Sequence, residues 1–499
     1  MNNKKICVIV LFLAVMTILF AVLSCNNPEK DIVENNGDKN SEAGSGESSG
    51  TSLASADYDG YEFKIFGFMS YGPVFKAVTY SEVQAETINS DPINDSIFNR
   101  NAIIEEMYNI TIKEILYGEI SDAGDTVVER ALRLVRAGDD EFDAGLSPGY
   151  TMPRIIGGQN ITHDLLTIPE LDLSQPWWDQ NCIKEFTLAN KLNSVTGDIS
   201  LWNTMATTVF YFNKKLVEDN SFESPYALVK RGDWTWDVFA DMSRDVTKDT
   251  SGDGKIDRFD QIGITSESGT MLQAVWCAGE RITYKDEDDL PVMNINIDRI
   301  VNILDKAMPI LRSVDYAYAS SDLYGRYPNP YFDFTLPKFQ NNETLFYTQQ
   351  LMVVFELREM EADFGVLPFP KYDKAQEKYS SVASDYFVKY VWLPQTNSEP
   401  GRAANILQAL GHYSREMVTP AFFDITVTNK ALRDEESRDM LEIIMNNRIY
   451  DLASIYNWGD ITGIYNSIYD KRRNDLASQY ESKIVKIEAE MQKTVDELF

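Results

Sequence analysis

Tyr61-Glu-Phe-Lys-Ile-Phe-Gly-Phe68 opens the run of sequence that decides the fold. Its apolar density reads as a buried strand. Beyond it, Asp95 to Tyr108 sets Ile97, Ile103, Ile104 and Met107 along one helical stripe, and Ile110 to Leu116 alternates as a strand. Asp125 to Arg136 places Val127, Val128, Leu132 and Val135 on one helical face. Phe142 to Leu146 is then a short strand that ends at Ser147-Pro148-Gly149. Strand, helix, strand, helix, strand is the order of a parallel α/β sheet. Ligands of such sheets sit beyond the carboxyl ends of the strands. That rule marks Ser70 and Tyr71 after the first strand, and Ser147 and Tyr150 after the third, as candidate ligand contacts; the plain alternative is surface loop.

Outward from this unit the chain keeps the same grammar. Met205 to Phe212 is an apolar strand. Asp233 or Thr235 is placed to cap a helix carrying Phe239 and Met242. Glu343 to Phe355 has strand character, Phe364 to Pro368 is a short extended crossing, and Tyr386 to Trp392 is extended. From Arg402 onward the reading is mainly helical, with Ile484, Ile487, Met491, Val495 and Leu498 on one face of the last helix. The body from Asp57 to Phe499, about 440 residues, is too long for one core and suits two domains.

The N-terminus reads as an export signal. Lys4 and Lys5 precede an apolar run from Ile6 to Leu23, and Ser24 stands before Cys25. The arrangement resembles the bacterial lipobox, with leucine two places rather than three before the cysteine. It implies a signal peptide over 1–24 and a lipidated Cys25; the alternative is an uncleaved membrane anchor. Residues 25–56 hold Gly, Ser, Asn and acids and no aromatic, which predicts a flexible tether. The rest of the chain is then expected on the outer face of the cell membrane.

Net charge is −31, and loss of Lys4 and Lys5 with the signal leaves 44 basic against 77 acidic residues, or −33. Phosphate would be repelled, so nucleic acid is not an expected partner. The same charge favours a soluble, unassociated monomer. Cys182 and Cys277 are the two cysteines left in the body, and buried free thiols are the favoured reading over a bridge.

Several landmarks share an order. They are Pro176-Trp177-Trp178-Asp179, Val195-Thr196-Gly197-Asp198, Phe210-Tyr211-Phe212-Asn213-Lys214 and Gly232-Asp233-Trp234-Thr235-Trp236-Asp237. They continue with Phe364-Gly365-Val366-Leu367-Pro368-Phe369-Pro370-Lys371-Tyr372 and Arg433-Asp434-Glu435-Glu436-Ser437. In this order they resemble the extracellular solute-binding proteins (family 1) of ABC sugar importers, lipoprotein type, similar in fold to maltose-binding protein. The resemblance implies a type II periplasmic-binding-protein-like α/β fold of two lobes, with ligand bound between them. Lobe 1 would comprise 57–204 and 364–419, and lobe 2 would comprise 205–363 and 420–499. It also implies transmembrane permease subunits of an ABC importer as partners and a sugar or oligosaccharide as cargo.

Asp249, Ser251, Asp253, Lys255, Asp257 and Asp260 follow calcium-loop spacing, with Gly254 at the sharp turn. Ser251 stands where an acid is usual, and Asp260 replaces the long bidentate glutamate. Ile262-Gly263-Ile264 reads as strand, so the expectation is a structural Ca2+ loop without paired helices; the alternative is an Asp/Gly turn. Sugar rings stack on aromatic faces while their hydroxyls need convergent polar groups. Trp202, Trp276 and Trp458 lie beside small or polar residues, and Thr348 and Gln349 follow a strand, so all five join the candidate ligand contacts. Trp177, Trp178, Trp234 and Trp236 are assigned to packing. His163 and His412 form no two-histidine metal motif, and no phosphate-cradling glycine loop occurs, so an enzyme is not expected. A sugar receptor is the leading reading. A surface carbohydrate-active enzyme and a ligand-sensing partner of a membrane kinase are the alternatives.

Overall fold

Phe63, Ile65 and Phe66 of the opening strand are buried as their pattern requires. A helix over Pro92–Tyr108 follows, started by Asp91, whose carboxylate accepts the N–H groups of Ile93 and Asn94, both at 3.0 Å. Asn109 ends it in the left-handed region at φ 50°, and the chain turns straight into the next strand. The computed structural model describes residues 53–67, 81–116, 120–157, 160–358, 360–428 and 435–498. The signal, most of the tether, Cys25, Ser70 and Tyr71 lie outside them. Among the described residues no helix is long and apolar enough to cross a membrane.

In chain order the strands are β1 (Tyr61–Gly67), β2 (Ile110–Leu116), β3 (Ala144–Pro148), β4 (Thr207–Asn213), β5 (Ile262–Ser266), β6 (Tyr284–Lys285), β7 (Pro291–Val292), β8 (Ala317–Ala319), β9 (Thr344–Gln350), β10 (Phe364–Leu367), β11 (Ser381–Ala383), β12 (Lys389–Trp392) and β13 (Arg448–Ile449). The smaller sheet has the order β12-β3-β1-β2. Its first three strands in sequence are parallel, in register from Tyr61↔Ile110, and β12 closes it antiparallel to β3. The larger sheet runs β13-β11-β4-β9-β5-β8, with β10 also beside β4. Two sheets flanked by helices make the expected α/β, two-lobed class.

Close packing between the strands of the smaller sheet depends on Gly145. A Cβ there would sit 2.1 Å from the Trp392 ring, so only glycine lets β12 lie against β3. Phe142 meets the same ring edge-on at 5.6 Å.

Three expectations shift. Glu343 to Phe355 is not one strand: β9 stops at Gln350, and a 3-10 turn covers Leu351–Phe355. Its five apolar residues are all buried, so periodicity could not mark the change of backbone. The return to the first lobe at Phe364 is also displaced. β10 pairs with β4 in the larger sheet, Trp234 Nε1 donates to Pro368 O at 3.1 Å, and Phe369 packs edge-on to Phe210 at 4.9 Å. The chain leaves the larger sheet only after Ala383 and joins the smaller one at Lys389. Finally, the change of partners expected near Pro420 comes later. The helix Thr419–Thr428 still packs on the helix Pro92–Tyr108, whereas Glu435–Asn446 packs on β10.

Cys182 and Cys277 are free thiols, both buried, and burial pushes both up from the ordinary thiol range. Trp177, Trp178, Trp234 and Trp236 are core residues, each at most 3% exposed.

Candidate functional site

Strand directions bring several ends together. In the larger sheet β5 and β9 run parallel to each other and antiparallel to β4, so their carboxyl ends meet the amino end of β4. Ala383, the last residue of β11, pairs with Thr207 at that same edge. In the smaller sheet the carboxyl end of β3 pairs with the amino end of β12, Pro148 to Lys389. The segment Ser384 to Val388 therefore joins the ligand-side edges of both sheets. Ser384 N–H donates to Ala206 O at 3.0 Å, which ties it to the outgoing crossing.

On this joint stands an aromatic platform. Tyr150, just after β3, stacks on Tyr386 with ring centres 5.0 Å apart and planes 19° from parallel. Tyr386 is 52% exposed. Phe387 meets Tyr386 edge-on at 5.0 Å and lies parallel to Trp202 at 6.2 Å. Trp202 itself is buried, with Lys389 Nζ 5.9 Å from its ring centre. Asp385 accepts from Tyr390 OH at 2.6 Å and from Ser454 Oγ, so one carboxylate links the joint to the second lobe. Burial pushes that carboxyl up to about 6. Beside the joint, within the larger-sheet lobe, Gln273 Nε2 donates to Thr208 Oγ1 at 3.1 Å.

The sequence-derived contacts divide around this joint. Ser147 is fully buried and accepts from Trp392 Nε1 at 3.0 Å, which spends its hydroxyl on the sheet. Tyr150 is partly open and belongs to the platform. Trp202 supports it from beneath. Thr348 and Gln349 lie on β9 at the joint edge, 2% and 8% exposed. Trp276 and Trp458 are held in packing: Trp276 Nε1 donates to Asp451 Oδ2 at 2.7 Å, and Trp458 Nε1 to Thr494 Oγ1 at 2.9 Å. Tyr386 and Asp385 were missed because their stretch reads as the start of an apolar strand. Glu267 was missed too, although it directly follows β5 and the strand-end rule that marked Ser147 reaches it.

Glu267 Oε2 accepts from Ser320 Oγ, and burial pushes its carboxyl up to about 7. The neutral form is favoured in the fold and the charged form in the unfolded chain. Stability from this group is therefore greatest below its unfolded value and falls as pH rises toward about 7. Glu267→Gln should remove that slope and raise stability at pH 8 by roughly 2–3 kcal/mol. Urea unfolding at pH 5 and pH 8 checks it; equal gains at both values would contradict the assignment.

The Asp249–Asp260 loop is closed by its own backbone. Asp249 accepts from Gly252 N at 2.6 Å and Gly254 N at 2.8 Å; Asp260 accepts from Thr250 N and Ser251 N at 2.9 Å and Asp257 N at 2.7 Å. Asp253 and Asp257 bond Lys255 N and Phe259 N. The N–H groups of Ser251 and Asp257 hold the Asp260 carboxyl below its ordinary range. Among the described residues no group of three or more His, Cys, Asp or Glu is arranged to hold a metal.

Asn203 and Thr204, next to Trp202, line a separate cavity of about 770 Å3 between Trp177–Asn181 and the helix Glu435–Asn446. Its buried carboxylates are already matched: Asp179 pairs with Arg448 at 2.6 Å and accepts from Tyr450 OH at 2.8 Å, and Asp198 pairs with Arg415 at 3.0 Å.

No protein-family model matches this chain. No curated protein matches it either. Solved structures do share its fold. An ABC substrate-binding protein of Listeria monocytogenes in complex with cycloalternan is 13% identical, covering 88% of this chain and 98% of its own, with a TM-score of 0.50. UspC of M. tuberculosis is 13% identical over 86% of this chain and 100% of its own, with a TM-score of 0.55. A sugar transporter of Rhizobium etli in an open conformation is 11% identical over 88% and 98%, with a TM-score of 0.55. The chain thus has the fold of sugar ABC solute-binding proteins over nearly all of its body.

Proposed function

We propose that this chain, built on the solute-binding fold, captures a sugar or oligosaccharide outside the cell and hands it to the permease subunits of an ABC importer. The observation that carries the reading is the Tyr150–Tyr386 platform. It is a stacked, partly exposed aromatic pair at the joint of two lobes, with Asp385 and Ser454 linking the joint to the second lobe. Aromatic faces take the C–H face of a sugar ring, and surrounding polar groups take its hydroxyls. Neighbours of the same fold include one solved with cycloalternan and one described as a sugar transporter, which supports a sugar as cargo. Lobes that turn about the joint would close on the cargo and present the loaded form to the importer.

Lipidation of Cys25 after a 1–24 signal, with 25–56 as tether, is part of the same proposal. It is supported by the residue pattern of the N-terminus. The test of the whole is a thermal-shift screen of mono- and oligosaccharides. Cargo that binds only the folded chain must raise the melting temperature. A shift confined to one sugar class is the expected result, and no shift with any sugar on well-folded protein would overturn it.

Calcium at Asp249–Asp260 is a secondary proposal that rests on spacing. Uptake requires Asp249 and Asp260 to exchange N–H donors for the ion, so affinity should be on the order of millimolar. Calorimetric heat at millimolar calcium, lost in Asp253→Asn, is expected; absence of heat in the wild type removes the proposal.

A further inference from the structure

Some buried or partly buried acids of this protein meet a cation, while Asp143, Asp385 and Asp451 are satisfied on both oxygens by hydroxyl, indole or backbone N–H donors. Glu82 meets Lys389 at 3.0 Å, Asp179 meets Arg448 at 2.6 Å, Asp198 meets Arg415 at 3.0 Å, and Asp322 meets Arg312 at 2.7 Å. Glu267 differs. No Lys, Arg or His among the described residues pairs with it. Oε2 has Ser320 Oγ, and Oε1 is buried with no hydrogen-bond partner. A buried carboxylate is costly unless a cation or several donors satisfy it. This one stands at the carboxyl end of β5, partly open to solvent, on the edge where the lobes join.

Register adds a second observation. Thr265 of β5 and Tyr347 of β9 are parallel partners. Carried two residues further, that register sets Gln349, on the Tyr347 face of β9, level with Glu267, the first residue beyond β5. Gln349 is 8% exposed; its Oε1 accepts from Gln350 N, while its amide nitrogen meets no acceptor among the described residues. On that face Thr265 is fully buried and its hydroxyl also lacks a partner. One edge therefore offers a carboxyl group with one unmatched oxygen and, at the end of the neighbouring strand, an amide nitrogen that meets no acceptor among the described residues, with the Tyr150–Tyr386 platform at the same joint.

We infer that the cargo is a cationic sugar: an amino sugar whose ammonium group pairs with Glu267 while a ring or hydroxyl oxygen accepts from Gln349 Nε2. This rests on the sugar-receptor reading and adds the charge of the ligand to it. The ammonium supplies the cation that no described residue brings to Glu267, so charge discriminates amino sugars from neutral ones. Pairing also draws the carboxyl into its ionised form, so binding near pH 7 releases protons.

The test is calorimetry on the full-length chain with matched sugars that differ at one substituent: glucosamine, glucose and N-acetylglucosamine, and their β-1,4-linked disaccharides. The galacto series is run alongside. Amino sugars should bind at least about tenfold tighter than their hydroxyl and N-acetyl counterparts. Repeating the titration in buffers of different ionisation enthalpy should reveal proton release. Glu267→Gln keeps shape and removes a buried charge; it should erase both the preference and the proton release. Gln349→Leu should weaken all sugars alike. Neutral sugars binding as tightly as amino sugars, with Glu267→Gln lowering both equally, would overturn the cationic cargo and leave the receptor reading standing. No sugar binding at all would overturn the receptor reading itself.

Discussion

Replacing Lys389 by methionine should destabilise the folded chain by about 3–5 kcal/mol. Lys389 and Glu82 are both buried, with side chains 4% and 2% exposed and Nζ 3.0 Å from Oε2. Oε1 of Glu82 accepts from Ser200 Oγ at 2.8 Å and Trp202 N at 2.9 Å, but Oε2 depends on the lysine. Without Lys389 a carboxylate is left in the interior with half its oxygen unmatched. The pair also has a position that matters. Glu82 pins the helix Leu201–Met205, through which the chain leaves the smaller sheet, and Lys389 begins the strand by which it returns. Urea unfolding at pH 7 measures the loss. The double variant Glu82→Gln with Lys389→Met should recover most of it, because the uncompensated charge is then gone. A single-variant loss under about 1 kcal/mol would contradict this account of the pair.

Removing the platform should cost binding without costing the fold. Tyr386→Ala deletes a side chain that is 52% exposed, so apo stability should change by less than about 0.5 kcal/mol. Affinity for the cargo should fall by about tenfold or more, since one stacked face is worth on the order of 1.4 kcal/mol or above. Tyr386→Phe should retain most of the affinity, because the ring rather than the hydroxyl supplies the contact. A Tyr386→Ala chain that binds like wild type would move the site away from the joint.

Much of the architecture was legible in the chain because it is local. The strand–helix–strand–helix–strand order of 61–148 follows from periodicity, and β2 falls on the predicted Ile110–Leu116. The helix carrying Phe239 and Met242 starts where Thr235 caps it, with Thr235 Oγ1 accepting from Val238 N. The tryptophans of the Pro176 and Gly232 landmarks are core. Strand ends can be read from pattern alone, and Ser147, Tyr150 and Gln349 do stand at or next to such ends.

Partnership was not legible. Phe364 to Leu367 is extended in either lobe, and nothing in those residues says that β4 is its neighbour. Whether a tryptophan is a platform or packing depends on what its ring meets: Trp276 finds Asp451, 175 residues away, and Trp458 finds Thr494. Calcium-loop spacing aligns oxygens along the chain, yet in the fold Asp249 and Asp260 turn inward to backbone N–H groups instead. Glu267 is one of 77 acids in the sequence, and only its neighbours single it out. Local backbone preference is a property of adjacent residues and survives in the sequence; pairing, burial and unmet charge belong to residues that meet only after the chain has folded.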